Sequence, residues 1–189
     1  PSVHGQRMKR PQSVLVLIHS PEGDILLIER AKHPGYWQSV TGSIEAGETP
    51  EQTARREVEE ETGIVAPPEA FERWHHTSRF EIYPIWRHRY PPGVTHNTEH
   101  AFSLCVPRDT PVRLAPDEHR DWRWLPWRKA LDAVFSWTNR RDPDVDAAQA
   151  AEQPVLKSFF SNPSLGVRGP PHPTWKGRND ESSDPLGPV

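Results

Sequence analysis

The stretch GSIEAGETPEQTARREVEEETGI, residues 42–64, decides the reading of this chain. It carries glutamates at positions 45, 48, 51, 57, 59, 60 and 61. Thr49 is a good helix N-cap, Pro50 suits the first helical position and Gly63 suits the residue just past the end. A helix is therefore predicted between them, with Ala54, Val58 and Thr62 marking its inner side at i, i+4 and i+8. Glu57, Glu60 and Glu61 stand at i, i+3 and i+4 and share one face, where each like-charge pair costs roughly 0.2–0.5 kcal/mol even when exposed. A solvated face balanced by Arg55 and Arg56 would tolerate that cost. A divalent cation would do more. Mg²⁺ takes hard carboxylate oxygens and leaves positions for water and substrate phosphates, which turns repulsion into binding.

Spacing separates the two readings. From Gly42, five residues lead to Glu48, seven more lead to Arg56-Glu57, and then come Val58, Glu60-Glu61, Gly63 and Ile64. The pattern is G-x5-E-x7-R-E-U-x-E-E-x-G-U with U aliphatic. At average residue usage a chance match is on the order of one in a billion per start position. The stretch resembles the signature of the Nudix hydrolases, which cut diphosphate linkages. The resemblance implies an α/β fold: an α/β/α sandwich with a mixed sheet, the signature forming a loop–helix–loop. It implies that Glu57, Glu60 and Glu61 bind the metal, that Arg56 holds those carboxylates, and that Glu48 pairs with it or supports the metal shell. Mg²⁺ is the expected cofactor, with Mn²⁺ as the alternative.

The rest of the chain narrows the substrate. YWQSVTGS (36–43), RFEIYPIWRHRYPPGVTHNTEHAFSL (79–104), KRP (9–11) and SWTNR (136–140) are similar to the bacterial dihydroneopterin triphosphate pyrophosphohydrolases of that superfamily. The similarity covers about residues 8–141. It implies hydrolysis of 7,8-dihydroneopterin triphosphate to the monophosphate and pyrophosphate, in folate biosynthesis. It also implies substrate contacts at Lys9, Arg30, Thr41, the run Phe80-Glu81-Ile82-Tyr83, and Ser136. Glu118 falls where the family places a further metal-binding carboxylate and could serve as general base; Asp117 competes for that place. An aromatic such as Phe80, Tyr83 or Trp37 can stack on a pterin face, and Lys9 and Arg30 can meet phosphates. A nucleoside triphosphate offers the same triphosphate on another flat heterocycle. A broader nucleotide pyrophosphohydrolase is therefore the second reading, and a binding module that does not cut its ligand is the third.

Each of these residues also has a plainer account. Phe80 and Tyr83, at i and i+3 in an expected strand, would face opposite sides, leaving one for the core. Arg87, His88 and Arg89 read equally as a phosphate patch or as a charged strand edge that resists aggregation. Asn97 and Thr98 are turn residues by type. Trp122, Trp124 and Trp127 read as core. The pair His75-His76 lacks the ligand spacing of a zinc site, and Cys105 in an apolar strand reads as a small buried hydrophobe.

Elsewhere, SVLVLIH (13–19) and ILLIER (25–30), joined by PEGD, predict a β-hairpin. Residues 36–42 predict one short strand, 71–90 two extended segments, 99–107 and 121–126 two more strands, and 127–135 a helix. A terminal helix is expected over 146–161, interrupted at Pro154, after a catalytic domain over 1–145. Residues 162–189 are rich in Pro, Gly, Ser and charge and are expected to be disordered. That tail reads as a flexible appendage, a partner-binding segment or a tolerated extension, and its protein partner is open. The net charge of −3 gives no global basic field for nucleic acid. No apolar run approaches the roughly 18–20 residues that span a bilayer. A single cysteine fits a reducing compartment, so a cytoplasmic protein acting on a small molecule is expected.

Overall fold

The computed structural model of the protein describes residues 8–136 and 143–161. Strand β1 (Gln12–His19) lies at the centre of a seven-stranded mixed sheet. Its five consecutive buried residues, Val14 to Ile18, reflect burial on both faces. A tight turn with Gly23 at φ +91° leads into β2 (Asp24–Arg30), which pairs antiparallel with β1 as the predicted hairpin. β3 (Trp37–Gln38) pairs with β2, and β4 (Val40–Ser43) returns to pair with β1. After helix α1 (Pro50–Thr62) come β5 (Phe71–Glu81) and β6 (His96–Cys105). β6 runs parallel to β1 in unbroken register from Gln12–Thr98 to His19–Cys105. β7 (His119–Pro126) closes on β2, followed by α2 (Trp127–Phe135) and α3 (Pro143–Ser161).

Alternation along β1 sorts the core into two layers. Val14, Val16 and Ile18 pack with Ala54 and Val58 of α1 and with Phe102 and Leu104 of β6. Leu15 and Leu17 point the other way, onto Ala130 and Val134 of α2 and Val155, Leu156 and Phe159 of α3. Helices thus cover both faces of the sheet, which is the expected α/β/α sandwich. Each fully buried aliphatic side chain stabilises it by roughly 1.5–3 kcal/mol.

The structure corrects several local expectations. Residues 36–42 form two strands on different partners, because the chain must cross from the edge of β2 to β1 at Ser39. Only the first half of 71–90 is extended. Residues Pro84–Arg89 form a 3-10 helix that starts on Pro84, whose fixed φ suits that turn as well as a strand. Arg87, His88 and Arg89 therefore do not alternate along a strand edge. Asn97 and Thr98 belong to β6, where pairing with β5, and for Thr98 also with β1, overrides their turn preference. Helix α3 runs through Pro154, which lies exposed while Val155, Leu156 and Phe159 are buried. Trp122 is exposed, while Trp124 and Trp127 pack against the core edges. The side chains of His75 and His76, and the predicted tail, lie outside the described residues. No helix among the described residues is long and apolar enough to cross a membrane.

Candidate active site

Local hydrogen bonds define both ends of α1. Thr49 Oγ1 accepts from the Gln52 N–H at 3.2 Å, and the Gln52 side chain accepts from the Thr49 N–H at 2.9 Å. The two bonds form a reciprocal capping box. At the other end Gly63 takes φ +71° and donates its N–H to Glu59 O at 2.8 Å. Thr53, also on the first turn, donates its hydroxyl to Glu48 at 3.1 Å and so ties the preceding loop to the helix.

Arg56 is the hub of the acidic face. Its Nε and Nη2 donate to the two oxygens of Glu48 at 2.8 and 2.9 Å, a bidentate pair. Its Nη1 donates to Glu57 at 2.9 Å and to Glu60 at 3.3 Å, and Nη2 also reaches Ser43 O at 3.2 Å. The side-chain bonds from Arg56 dominate at Glu48 and hold its pKa down to about 2. Glu57 goes the other way. Burial outweighs its arginine partner and raises it to about 7. Glu61, more deeply buried, is pushed well above the usual carboxylate range, first by desolvation and then by the charges of Glu57 and Glu118.

Gly42 lets Glu57 occupy this place. A Cβ on Gly42 would lie 2.0 Å from Glu57 Cδ, so the helix carboxylate crosses strand β4 only where a side chain is missing.

These elements border a cavity of about 600 Å³. Glu61, Glu118 and His119 meet on its wall and bring one ligand atom each within 4.8 Å of one another. His119 faces Gln38 Nε2 at 3.0 Å, and burial followed by the Arg30 charge lowers its pKa to about 4. Glu61 Oε2, Glu99 Oε1 and His119 Nδ1 are buried without a hydrogen-bond partner. A divalent cation fits this donor set. It would supply the missing partner of Glu61 and relieve the repulsion among Glu57, Glu61 and Glu118.

Cations face these acids. Lys9 is exposed as a residue, yet its ammonium is partly desolvated and feels the charges of Arg89 and Arg30. Burial first, then Arg89 and then Arg30, lower its pKa. Lys9, Arg30 and Arg89 all line the cavity, so an anion entering it meets clustered positive charge. The aromatic residues Phe80, Tyr83, Trp86 and Tyr90 line the same cavity.

Of the predicted site residues, the cavity brings together Lys9, Arg30, Thr41, Phe80, Ile82, Tyr83, Glu61 and Glu118, with the competitor Asp117 beside them. Phe80 and Tyr83 both reach it, because β5 ends at Glu81 and the chain turns back. Glu48, Arg56, Glu57 and Glu60 stand behind the wall as the network that carries it. Glu81 is exposed and paired with Arg87, and Ser136 is exposed at the end of α2; neither lines the cavity. Trp37 packs against the α2 side of the core and is covered by Arg123 at 4.8 Å. Glu99, His119, Gln38, Trp86 and Tyr90 carry no signature of their own. Only their place inside the substrate-specific stretch, or next to Glu118, could have drawn attention to them.

Comparison with known proteins agrees with this geometry. The NUDIX domain model matches residues 9–144. The chain is 41% identical over 153 residues to the dihydroneopterin triphosphate diphosphatase of Escherichia coli K12, covering 79% of this chain and 95% of that protein. It is 38% identical over 134 residues to the Haemophilus influenzae enzyme of the same name, covering 69% and 84%. The solved structure of the E. coli dihydroneopterin triphosphate pyrophosphohydrolase superposes with a TM-score of 0.60, covering 72% of this chain and 94% of that one. The family model spans most of the chain, and relatives of 41% and 38% identity cover it over more than two thirds of its length: the chain belongs to the NUDIX domain family.

Proposed function

We infer that this protein is a pyrophosphohydrolase that converts 7,8-dihydroneopterin triphosphate to the monophosphate and pyrophosphate, a step of folate biosynthesis. One observation carries the reading. A single cavity joins clustered cations and convergent carboxylates to a row of aromatic rings, matching a triphosphate on a flat heterocycle. The names of the relatives point to the same substrate.

Each part of the chain then has a task. Lys9, Arg30 and Arg89 bind and orient the phosphates, Arg30 with a planar fork suited to phosphate oxygens. Phe80 and Tyr83 supply stacking faces for the heterocycle. Water attacks one phosphorus of the α–β phosphoanhydride, that bond breaks, and the bridging oxygen leaves with the bonding electron pair. Glu118, exposed at the cavity wall beside Glu61, takes the proton of that water in this reading. Glu57, Glu60, Glu61 and Glu118 would hold Mg²⁺, or Mn²⁺ in its stead, which when bound supplies phosphate neutralisation and a more acidic water. Arg56 and Glu48 keep those carboxylates in place.

Incubation with dihydroneopterin triphosphate and Mg²⁺, followed by assay of released pyrophosphate, tests the assignment. The pterin triphosphate is expected to show the highest kcat/KM. A common nucleoside triphosphate ahead by about a hundredfold would end the pterin reading. Glu57→Gln and Glu61→Gln are each expected to abolish turnover while the fold survives. Turnover surviving in both would remove the metal assignment and favour a different catalytic centre.

A further inference from the structure

Glu99 is the polar side chain of the cavity that neither the metal network nor the phosphate cations explain. It is 3% exposed on β6, and its Oε1 has no partner. Its Oε2 accepts only a long bond from Ser13 Oγ, at 3.5 Å. Ser13 in turn accepts from Asn97 Nδ2 at 2.8 Å, so this short chain of bonds fixes the carboxylate and leaves one oxygen open. A buried carboxylate with an open oxygen is costly, and its partner must be a donor that arrives from outside. Glu99 is not a member of the donor group formed by Glu61, Glu118 and His119, so the metal network does not account for it. Two residues back along the same strand face is Asn97, and directly across from Asn97 on β5 is Phe80. A ring stacked on Phe80 would turn its edge toward Glu99.

We propose that Glu99 determines the specificity of this cavity by accepting the paired N–H donors of a 2-amino-4-oxopyrimidine edge, the edge that pterins and guanines share. Two parallel N–H groups match the two oxygens of a carboxylate in the fork geometry of a bidentate pair. Adenine and hypoxanthine lack that donor pair. The inference rests on reading the cavity as a site for a heterocyclic triphosphate, and it names which heterocycle the site accepts.

The test compares dihydroneopterin triphosphate, GTP, ITP and ATP with wild type and Glu99→Gln, both metal-loaded, with thermal melting to confirm that the variant is folded. GTP and ITP differ only by the 2-amino group. Wild type is expected to favour GTP over ITP by at least about tenfold. Glu99→Gln is expected to erase that gap. It should also lower kcat/KM for the pterin and GTP by about 10- to 100-fold, chiefly through KM, and leave ATP within about threefold. An equal loss of kcat on every substrate would make Glu99 a general catalytic or structural group and overturn the proposal. So would a variant with no change on any substrate. Should the variant fail to fold, the wild-type ratio of GTP to ITP decides, and a ratio near one overturns the proposal. A wild type that ignores the pterin yet favours GTP through Glu99 sinks the pterin assignment and upholds this one. A wild type that cleaves the pterin with Glu99→Gln indifferent does the reverse.

Discussion

Glu48 places both carboxylate oxygens on Arg56, and that pairing sets how the protein meets acid. Its folded pKa, about 2, lies below the ordinary 4.5, so its contribution to stability is fully present above about 4.5 and is lost as pH falls toward 2. Glu48→Gln is expected to lower the melting temperature at pH 6–7, by an amount equivalent to roughly 1–3 kcal/mol. That difference should shrink as pH falls below about 4.5 and close only near about pH 2 when melting is followed against pH. Glu57 and Glu61 have the opposite sign. Both are raised by burial, Glu57 to about 7, and a metal needs them ionised. Metal affinity measured by calorimetry should therefore tighten as pH rises through about 7, with proton release on binding that shows as a dependence on the buffer's ionisation enthalpy. The pairing of Arg56 with Glu48, Glu57 and Glu60 was legible in the sequence because all four fall within one short loop and helix. Glu99 and His119 were not. Each is a single polar residue in a strand, and its burial depends on α3, β1 and β2, which lie far away along the chain.

Helix α1 carries its own start and stop, and its predicted bounds agree with the structure because Thr49, Gln52 and Gly63 settle them locally. The segment after β5 shows the reverse case. Pro84 fits both a strand and a 3-10 helix, and only the packing of Trp86 and Tyr90 toward the cavity chooses between them. In α3 the local signal at Pro154 was real, but burial of Val155, Leu156 and Phe159 outweighs the roughly 3 kcal/mol that a proline costs inside a helix. The approach of α1 to β4 is tight enough to test with one methyl group. Gly42→Ala puts a Cβ 2.0 Å from Glu57 Cδ, so the carboxylate must move. Activity is expected to fall by about a hundredfold or more, since small misplacements at a catalytic centre carry losses of that order. The variant should also lose metal affinity in the same calorimetric titration. A Gly42→Ala protein with normal kcat would show that Glu57 does not need its observed position.

Across the whole molecule, α3 is anchored by one buried acid. Glu152 is fully buried and accepts the Ser39 N–H at 2.6 Å, where the chain crosses from β3 to β4. Burial raises its pKa to about 8, with the Glu99 charge adding to the rise. A folded pKa above the unfolded one contributes stability below about 4.5 that is lost as pH rises through about 8. The melting temperature of wild type should thus carry a component that declines between about pH 4.5 and 8 and levels off above, and Glu152→Gln, still an acceptor for Ser39, should remove it. A decline of equal size in the variant would assign the effect to another group. The sandwich was legible from strands mixed with helices and from the resemblance carried by residues 42–64, whereas the pairing order was not, because it joins segments far apart in sequence. The parallel seam between β1 and β6 has a kinetic consequence. Its partners, such as Ser13 and Glu99, are separated by most of the catalytic fold, so the seam forms only after a long loop has closed. During synthesis the ribosome must release β6 before Asn97 and Glu99 can join the cavity wall, and a nascent chain stalled short of that strand has the acidic signature but neither the seam nor the Phe102 and Leu104 packing that α1 rests on.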